Sequence, residues 1–185
     1  MKKWITTSYI ENFRSYVFNH FIAKRSNHDL SLSGEFDVLE CPNWVVVIAR
    51  DEHKKLLLVK QYRHGIDDFT LEGPAGVIDP GEDPIVSAKR ELLEETGHES
   101  SDWTYLGKLS ANPAFQTNFC HFFFADNCAY KMEQRLDPLE EIEIILVNQS
   151  EIKEMIANGE IHHSLYLAAL GLYQLHFNSS LEFSS

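Results

Sequence analysis

One segment, residues 76–97, constrains this 185-residue chain more than any other part of its sequence. Gly76 is followed after five residues by Glu82, and after seven more by the run Arg-Glu-Leu-Leu-Glu-Glu-Thr-Gly at 90–97. The pattern is G-x5-E-x7-R-E-U-x-E-E-x-G, where U is a bulky aliphatic residue. If each specified residue occurs at about 7%, a chance match at seven positions has odds of roughly 10⁻⁸ per start site. The spacing therefore indicates a functional signature.

The same segment predicts a helix with defined ends. Asp83 followed by Pro84 is a helix-start signal, with Asp as the N-cap and Pro at the first helical position. Gly97 is suited to the C-cap. At about 100° per residue, the apolar residues between these ends share one face: Ile85, Val86, Ala88, Leu92 and Leu93.

Three carboxylates share another arc of this helix, about 100° wide. Glu91, Glu94 and Glu95 repel one another by about 0.2–0.5 kcal/mol per pair. They also lie in the last turns, where the helix dipole disfavours negative charge. A hard divalent cation such as Mg²⁺, which prefers oxygen ligands, would remove this conflict. The alternative is a solvated acidic face, and the full spacing argues against it.

The segment resembles the Nudix box, the signature of hydrolases that cleave nucleoside diphosphates linked to another group. It departs at one position, because His98 stands where the family has an aliphatic residue that packs. The resemblance implies an α/β/α sandwich with a mixed sheet. Strands alternating with three helices independently predict an α/β fold in which helices cover a mixed sheet.

The resemblance also implies a metal site for Mg²⁺, with Mn²⁺ as the alternative. Its expected ligands are Glu91, Glu94 and Glu95, with the backbone carbonyl of Ala75 just before the box glycine. Glu82 is expected either to bind the metal or to support its ligands. Its alternative role is a helix-start charge that the dipole favours.

Two further assignments concern catalysis. Arg90 is expected to orient the glutamates by hydrogen bonding rather than to touch the substrate. In the related enzymes, an acidic loop well after the box often supplies the general base, and residues 137–143 are the acidic loop in that region. Glu140 is favoured as the base and Glu141 comes second. The alternative is that both are solvated loop charges.

Other submotifs resemble the ADP-ribose pyrophosphatase branch: the triplet Gln-Tyr-Arg at 61–63, the run Glu-Gly-Pro-Ala-Gly at 72–76, and Pro113. The loop at 112–118 departs from that branch's Ser-Pro-Gly and is closer to a subgroup that acts on a broader set of nucleoside diphosphate sugars. Arg63 is expected to bind phosphate, with a surface arginine as the alternative. Pro113 is expected to belong to the substrate site, where it would stiffen the loop that discriminates substrates by shape. Glu72 is expected to bind substrate or a dimer partner, or to be structural.

Composition excludes other classes of function. The net charge of −12 and the lack of a basic patch argue against binding to nucleic acid. No apolar run is long enough to span a membrane, and no apolar stretch follows the charged N-terminus as in a signal peptide. Cys41, Cys120 and Cys128 have no metal-ligand spacing, which favours reduced thiols in the cytoplasm.

Along the chain, residues 1–40 predict a few antiparallel strands around a turn near 25–28, as an extension used for dimerisation. Residues 41–178 are the predicted Nudix domain and 179–185 a tail. Strands are expected at 45–48, 55–59, 68–72, 103–109, 119–125 and 141–147. Ser150 is expected to cap a short helix that Asn158 and Gly159 end. A final helix, 163–176, should bury one stripe: Leu165, Ala168, Ala169, Leu172 and Leu175.

The leading hypothesis is a metal-dependent pyrophosphohydrolase of ADP-ribose or of nucleoside diphosphate sugars, acting as a homodimer. In the family, N-terminal strands build dimers whose partner completes the nucleoside pocket. An aromatic residue such as Tyr9, Phe18 or Trp44 could then stack on the base. Two alternatives remain, a housecleaning hydrolase of nucleoside triphosphates and a non-catalytic nucleotide-sugar sensor.

Overall fold

The structure is a computed structural model that describes residues 2–177. The predicted tail, 179–185, lies outside the described residues. The described chain divides into two compact units. Residues 2–43 and 109–119 form the first unit, and residues 44–108 and 120–177 form the second.

The first unit is built on a three-stranded antiparallel sheet. Its strands are β1 (Ile5–Arg14), β2 (Asn19–Ser26) and β3 (Ser33–Glu40), in the order β1-β2-β3. The turn between β2 and β3 begins at Asn27, whose N–H donates to the Leu32 carbonyl. The segment 109–119 joins this unit through a bridge between Leu39 and Gln116. The predicted N-terminal antiparallel strands are confirmed.

The second unit contains an eight-stranded mixed sheet. Its strands are β4 (Trp44–Asp51), β5 (Lys55–Arg63), β6 (Asp68–Glu72), β7 (Ala75–Val77), β8 (His98–Glu99), β9 (Asp102–Ser110), β10 (Phe119–Tyr130) and β11 (Ile142–Asn148). The central order is β11-β5-β4-β10-β8, with β6 on β5, β7 on β4 and β9 on β10. β10 runs parallel to β4, whereas β5 and β7 are antiparallel to it.

Helices cover both faces of this sheet. α1 (Pro84–Thr96) packs Ala88 and Leu92 against Val45, Val47 and Phe123. On the other face, α2 (Ile152–Ala157) and α3 (Ser164–Phe177) pack against alternate residues of the same strands, among them Val46, Ile48 and Phe122. Because strand side chains alternate between faces, one run of apolar residues fills both layers. The predicted α/β/α sandwich is confirmed. Within residues 2–177, no helix has the length and hydropathy needed to cross a membrane.

The ends of α1 agree with the prediction. The Asp83 carboxylate accepts the N–H of Ile85 at 3.1 Å, and Pro84 occupies the first turn. Gly97 ends the helix in the left-handed region with φ 69°, and its N–H donates to the Leu93 carbonyl. This conformation favours glycine, and a Cβ there would also lie 1.9 Å from the Met132 carbonyl oxygen.

Two helix details differ from the predictions. Ser150 does not cap the short helix, because a 3₁₀ turn (Gln149–Glu151) begins after Asn148, whose N–H donates to the Glu151 carboxylate at 2.6 Å. In α3, Leu175 is 77% exposed, whereas Tyr166 and Leu170 are buried beside Ala169. Nine residues at about 100° each place Leu175 on the side of the helix opposite Tyr166. The predicted stripe was therefore wrong at Leu175.

Candidate active site

The box helix presents its carboxylates to the start of β7. Glu91 and Glu95 are one turn apart on α1, and the Glu91 carboxylate lies directly over Gly76. A Cβ at Gly76 would be 2.1 Å from Glu91 Oε1, so only glycine allows this approach. The glycine at position 76 thus has a steric cause: the backbone of β7 and the Glu91 carboxylate lie in direct contact.

Glu95 is buried, with 3% of its surface exposed. Its Oε2 accepts the N–H of Ala75 at 3.0 Å. Burial raises the pKa of Glu95 well above its ordinary value, although the Ala75 N–H opposes this shift. The negative charges of Glu91 and Glu140 raise this pKa further. Glu95 is therefore a carboxylate whose ionised form lacks sufficient compensation from the protein.

The ionised form of Glu91 is also disfavoured. Burial raises its pKa to about 7, and the charges of Glu94 and Glu140 act in the same direction. Arg90 opposes the rise through its charge and its hydrogen bond. Glu94 is more exposed than Glu91, at 41% of its side chain. The three box carboxylates therefore differ in burial but lie on one side of α1.

Arg90 is the cation that holds Glu91 and Glu94 in this structure. Its Nη1 donates to Glu91 at 2.7 Å and to Glu94 at 3.2 Å, and its Nη2 donates to Glu82 at 3.2 Å and to the Val77 carbonyl. Burial opposes its charge, but the glutamates outweigh burial and raise the pKa of Arg90 above its ordinary value. This geometry suits the predicted orienting role.

Glu82 lies just before α1 and contacts Arg90, not the box glutamates themselves. Its Oε2 accepts from Arg90 and from the hydroxyl of Ser87, which is fully buried on α1. The backbone N–H of Asp79 also donates to it, at 3.4 Å. Hydrogen bonds from Arg90 and Ser87 lower the pKa of Glu82. These contacts fit a residue that supports the metal ligands, the second of the two predicted roles.

The donor set fits a hard divalent cation. Glu95 is buried and Glu91 half-buried, both have raised pKa values, and oxygen is the donor that Mg²⁺ prefers. Within residues 2–177, no three His, Cys, Asp or Glu side chains are already arranged as a cation cage. Glu91 and Glu94 instead face Arg90, and Glu95 faces the Ala75 N–H. The carboxylates would have to turn from these partners to bind a metal.

The two predicted general bases lie in one exposed loop between β10 and β11. The Glu140 N–H donates to the Asp137 carbonyl at 2.9 Å, and the Glu140 carboxylate accepts the Asp137 N–H at 3.1 Å. The negative charge of Glu140 contributes to the raised pKa of both Glu91 and Glu95, so it is within electrostatic range of the box. Glu141 follows in the same loop. Their assignment as base stays a prediction.

A cavity of about 300 Å³ extends from the box glycine across the sheet. It is lined by Trp44, Val45, Val46, Arg63, Glu72, Ala75, Gly76, Val77, His163 and Leu165. Four of the predicted positions thus meet the cavity: Trp44, Arg63, Glu72 and Ala75. Pro113 belongs to the first unit and is exposed, and its role stays a prediction.

Arg63 and Glu72 form a two-pronged pair at the cavity wall. Nε and Nη2 of Arg63 donate to the two Glu72 oxygens at 2.7 and 2.8 Å. The Thr70 hydroxyl adds a third hydrogen bond to Glu72 at 2.6 Å. Glu72 is only 1% exposed; burial opposes its charge, but Arg63 outweighs burial and lowers the pKa of Glu72. Arg63 therefore reaches the cavity with its orientation fixed.

His163 lines the same cavity, and no sequence motif had pointed to it. It lies just before α3, and its Nε2 is 3.6 Å from Glu72 Oε2. In the sequence it was the first residue of the predicted helix 163–176 and one of the adjacent pair His162-His163, which has no ligand spacing. The available signal was its position at the start of an apolar helix, where a polar side chain can act as an N-cap.

Comparisons with known proteins agree with this geometry. The family model for the NUDIX domain matches residues 41–168. A methanol dehydrogenase activator from Bacillus methanolicus is 30% identical, with 86% of this chain and 89% of the relative covered. An ADP-ribose pyrophosphatase from Bacillus subtilis (strain 168) is 29% identical, with 75% and 76% covered.

A solved structure described as an ADP compounds hydrolase superposes with a TM-score of 0.84. It is 20% identical, with 96% of each chain covered, so this likeness shows the fold. The family match covers most of the chain, and it includes both the box helix and the cavity residues. The chain therefore belongs to the Nudix family of hydrolases.

Proposed function

We propose that this Nudix hydrolase is an Mg²⁺-dependent pyrophosphohydrolase of ADP-ribose or nucleoside diphosphate sugars. The products would be a nucleoside monophosphate and a sugar phosphate. The main support is one observation: the cavity that holds the Arg63–Glu72 pair extends to Ala75 and Gly76, over which the box carboxylates lie. A substrate in this cavity could place its diphosphate between the box and Arg63 while its remaining groups contact Trp44 and Leu165.

The residues of the box divide the work of the reaction. Glu91, Glu94 and Glu95, with the Ala75 carbonyl, would hold the cation, and Arg90 and Glu82 would orient them. Bound there, the cation would supply charge neutralisation and a more acidic water. Glu140 would accept the proton of the water that attacks one phosphorus, while the bond from that phosphorus to the bridging oxygen breaks.

The cavity suits an anionic substrate despite the acidic chain. The net charge of −12 would repel a diphosphate, so binding requires cations placed locally. Arg63 supplies one, although Glu72 already takes two of its hydrogen bonds. Trp44, Val46 and Leu165 supply apolar surface for a base or a sugar face. This combination is typical of a site for a bulky diphosphate compound rather than for a bare triphosphate.

A panel of substrates tests the proposal. We expect the highest kcat/KM, with Mg²⁺ present, for ADP-ribose or a hexose nucleotide. Nucleoside triphosphates should be worse by at least about tenfold, which needs only about 1.4 kcal/mol of differential transition-state binding. A triphosphate as the best substrate would favour the housecleaning alternative. No phosphate release from any diphosphate compound with Mg²⁺ would favour the sensor.

We also propose that residues 1–40 form a homodimer interface and that the protein works in the cytoplasm. The three-stranded sheet exposes large apolar side chains: Ile5, Tyr9, Ile10, Phe13, Val17 and Phe36. A self-complementary contact through such a surface would give a symmetric dimer. The free cysteines Cys41, Cys120 and Cys128 suit a reducing compartment. Sedimentation at micromolar concentration should give twice the chain mass, and a monomer of 21.3 kDa would contradict the dimer.

A further inference from the structure

The two ring nitrogens of His163 face different parts of the structure, the start of α3 and the Glu72 carboxylate. The N–H of Tyr166, three residues later, points to Nδ1 at 3.4 Å, as at a helix N-cap. This contact assigns the lone pair to Nδ1, so the neutral ring carries its proton on Nε2. Nε2 faces Glu72 Oε2 at 3.6 Å, which leaves only a short movement to a hydrogen bond.

The start of α3 is itself fixed against the chain that carries Glu72. The fully buried ring of Tyr166 packs on Gly73, the residue after Glu72, where a Cβ would lie 2.8 Å from the ring and 2.1 Å from the Val47 carbonyl oxygen. Glycine at this position lets the ring and the backbone approach closely. The imidazole and the Glu72 carboxylate are therefore held by the same packed junction.

Glu72 in turn determines which edge of Arg63 a ligand would meet. Glu72 binds Nε and Nη2 of Arg63, so the Nη1 edge is left for a ligand. The Arg63 side chain is 37% exposed and long, and it would adopt several orientations without this anchor. A displacement of Glu72 would therefore move the guanidinium relative to the box.

We infer that His163 is a positioning residue, which holds Glu72, and through it Arg63, in the arrangement that binds the diphosphate compound. This rests on the proposed function. Glu72 and Arg63 are the charged groups beside His163, and the neighbouring His162 is a further titratable group. The Thr70 hydroxyl donates to Glu72 Oε1 while His163 Nε2 faces Oε2, so the two side chains meet the carboxylate at separate atoms.

Two substitutions separate the two nitrogens of the ring. In His163→Asn, the side-chain oxygen replaces Nδ1 as the helix cap, but nothing reaches Glu72. In His163→Gln, the amide nitrogen reaches toward Glu72, but the cap is lost, since Gln is not among the preferred N-caps. The matched control is His162→Asn, which changes an exposed histidine one position earlier.

The measurements are kcat and KM for ADP-ribose with Mg²⁺, the Kd for ADP-ribose in EDTA, and the thermal midpoint. For His163→Asn we expect KM and Kd to rise about fivefold, with kcat within about twofold and the midpoint unchanged, since ground-state binding is what weakens. His163→Gln should lower the midpoint while restoring most of the affinity. His162→Asn should match the wild type.

A double variant shows whether the effect passes through Glu72. If it does, adding His163→Asn to Glu72→Gln should raise Kd no further than Glu72→Gln alone. If the wild type hydrolyses ADP-ribose and His163→Asn has the same KM and Kd as the wild type, the inference is wrong while the proposed function stands. The same holds if His163→Gln shows the same loss of affinity as His163→Asn. A wild type that does not bind ADP-ribose overturns both the inference and the proposed function.

Discussion

Two glutamates in this enzyme are almost equally buried and yet have opposite electrostatics. Glu72, at the end of β6, is 1% exposed, and Glu95, in the last turn of α1, is 3% exposed. The pKa of Glu72 is lowered because Arg63 outweighs its burial. The pKa of Glu95 is raised because burial is opposed only by one backbone N–H and the weaker attraction of Arg63. Burial alone therefore does not decide the charge of a carboxylate.

The difference lies in where each positive charge comes from. Glu72 has its cation built into the neighbouring strand, with two hydrogen bonds in fork geometry. Glu95 shares its surroundings with Glu91 and Glu140, which add negative charge instead. A fold that leaves two carboxylates in this state is poised for a cation from solution. The Arg63–Glu72 pair shows that this sheet can place a guanidinium beside a buried carboxylate, which it does for Glu72 but not for Glu95.

The largest expected effect is at Glu95. Replacing Glu95 with Gln keeps the volume and an acceptor for the Ala75 N–H but removes the charge with which Glu95 is proposed to bind the metal. We expect kcat with saturating Mg²⁺ to fall by at least about 100-fold. The metal-free protein should become more stable by about 1 kcal/mol, because an uncompensated buried charge is removed.

The matched control for this test is Glu154→Gln, which neutralises an exposed glutamate on α2 and should leave kcat within twofold. Stability is measured by urea denaturation in EDTA. If Glu95→Gln retains near-full turnover, the cation is not held by Glu95. The opposite pKa shifts of Glu72 and Glu95 would then not reflect a difference in metal binding.

Substitution of Glu72 should change the free energy of unfolding in the opposite direction from Glu95→Gln. Glu72→Ala leaves Arg63 without its partner, and we expect a loss of about 2 kcal/mol at pH 7. This is below the cost for a fully buried pair because Arg63 is 37% exposed and therefore partly solvated. Urea denaturation in EDTA measures it beside Glu95→Gln. An equal or greater stability of Glu72→Ala would show that the pair is not a built-in compensation.

The sequence predicted the elements whose signals are local. Both ends of α1 could be predicted because Asp83, Pro84 and Gly97 act on the adjacent backbone. The box spacing predicted that Glu91 and Glu95 would share an arc, since both lie on one helix. The exposed side of α3 could not be predicted as well, because that helix is apolar nearly all round and gives no clear amphipathic period, so Leu175 was misplaced.

Contacts between segments that are distant in sequence could not be predicted, because no local pattern indicates them. Nothing in residues 61–63 or 70–72 indicates that Arg63 and Glu72 pair in a fork, because that depends on the register of β6 on β5, in which Arg63 faces Asp68. His163 reaches Glu72 only because α3 packs on the sheet beside Gly73. Sequence reasoning therefore selected Arg63 and Glu72 as separate residues, and missed both their pairing and His163.

The smallest expected effect comes from a third carboxylate, Asp126, which lies outside the cavity. Like Glu72, it is paired with an arginine of the protein. Asp126 on β10 pairs with Arg50 at 2.7 and 2.9 Å, and both side chains are mostly buried. The Arg50 hydrogen bonds lower the pKa of Asp126 to about 2, against the opposing effect of burial. A pKa below the unfolded value of 3.8 means that the unfolded chain binds more protons in that range. The stabilisation is thus complete above pH 3.8 and is lost as pH falls toward about 2.

We therefore expect Asp126→Asn to lower the free energy of unfolding by about 1 kcal/mol at pH 7, a value discounted because the pair is partly solvated. The difference from the wild type should shrink between pH 4 and pH 2.5, and kcat and KM should stay within about twofold at pH 7, because Asp126 does not line the cavity. Urea denaturation across this pH range and steady-state kinetics give the two readings. A change in KM without a change in stability would mean that a built-in pair outside the cavity also shapes the site. Carboxylates balanced by the protein would then affect substrate binding from outside the cavity as well as from within it, where Arg63 and Glu72 lie.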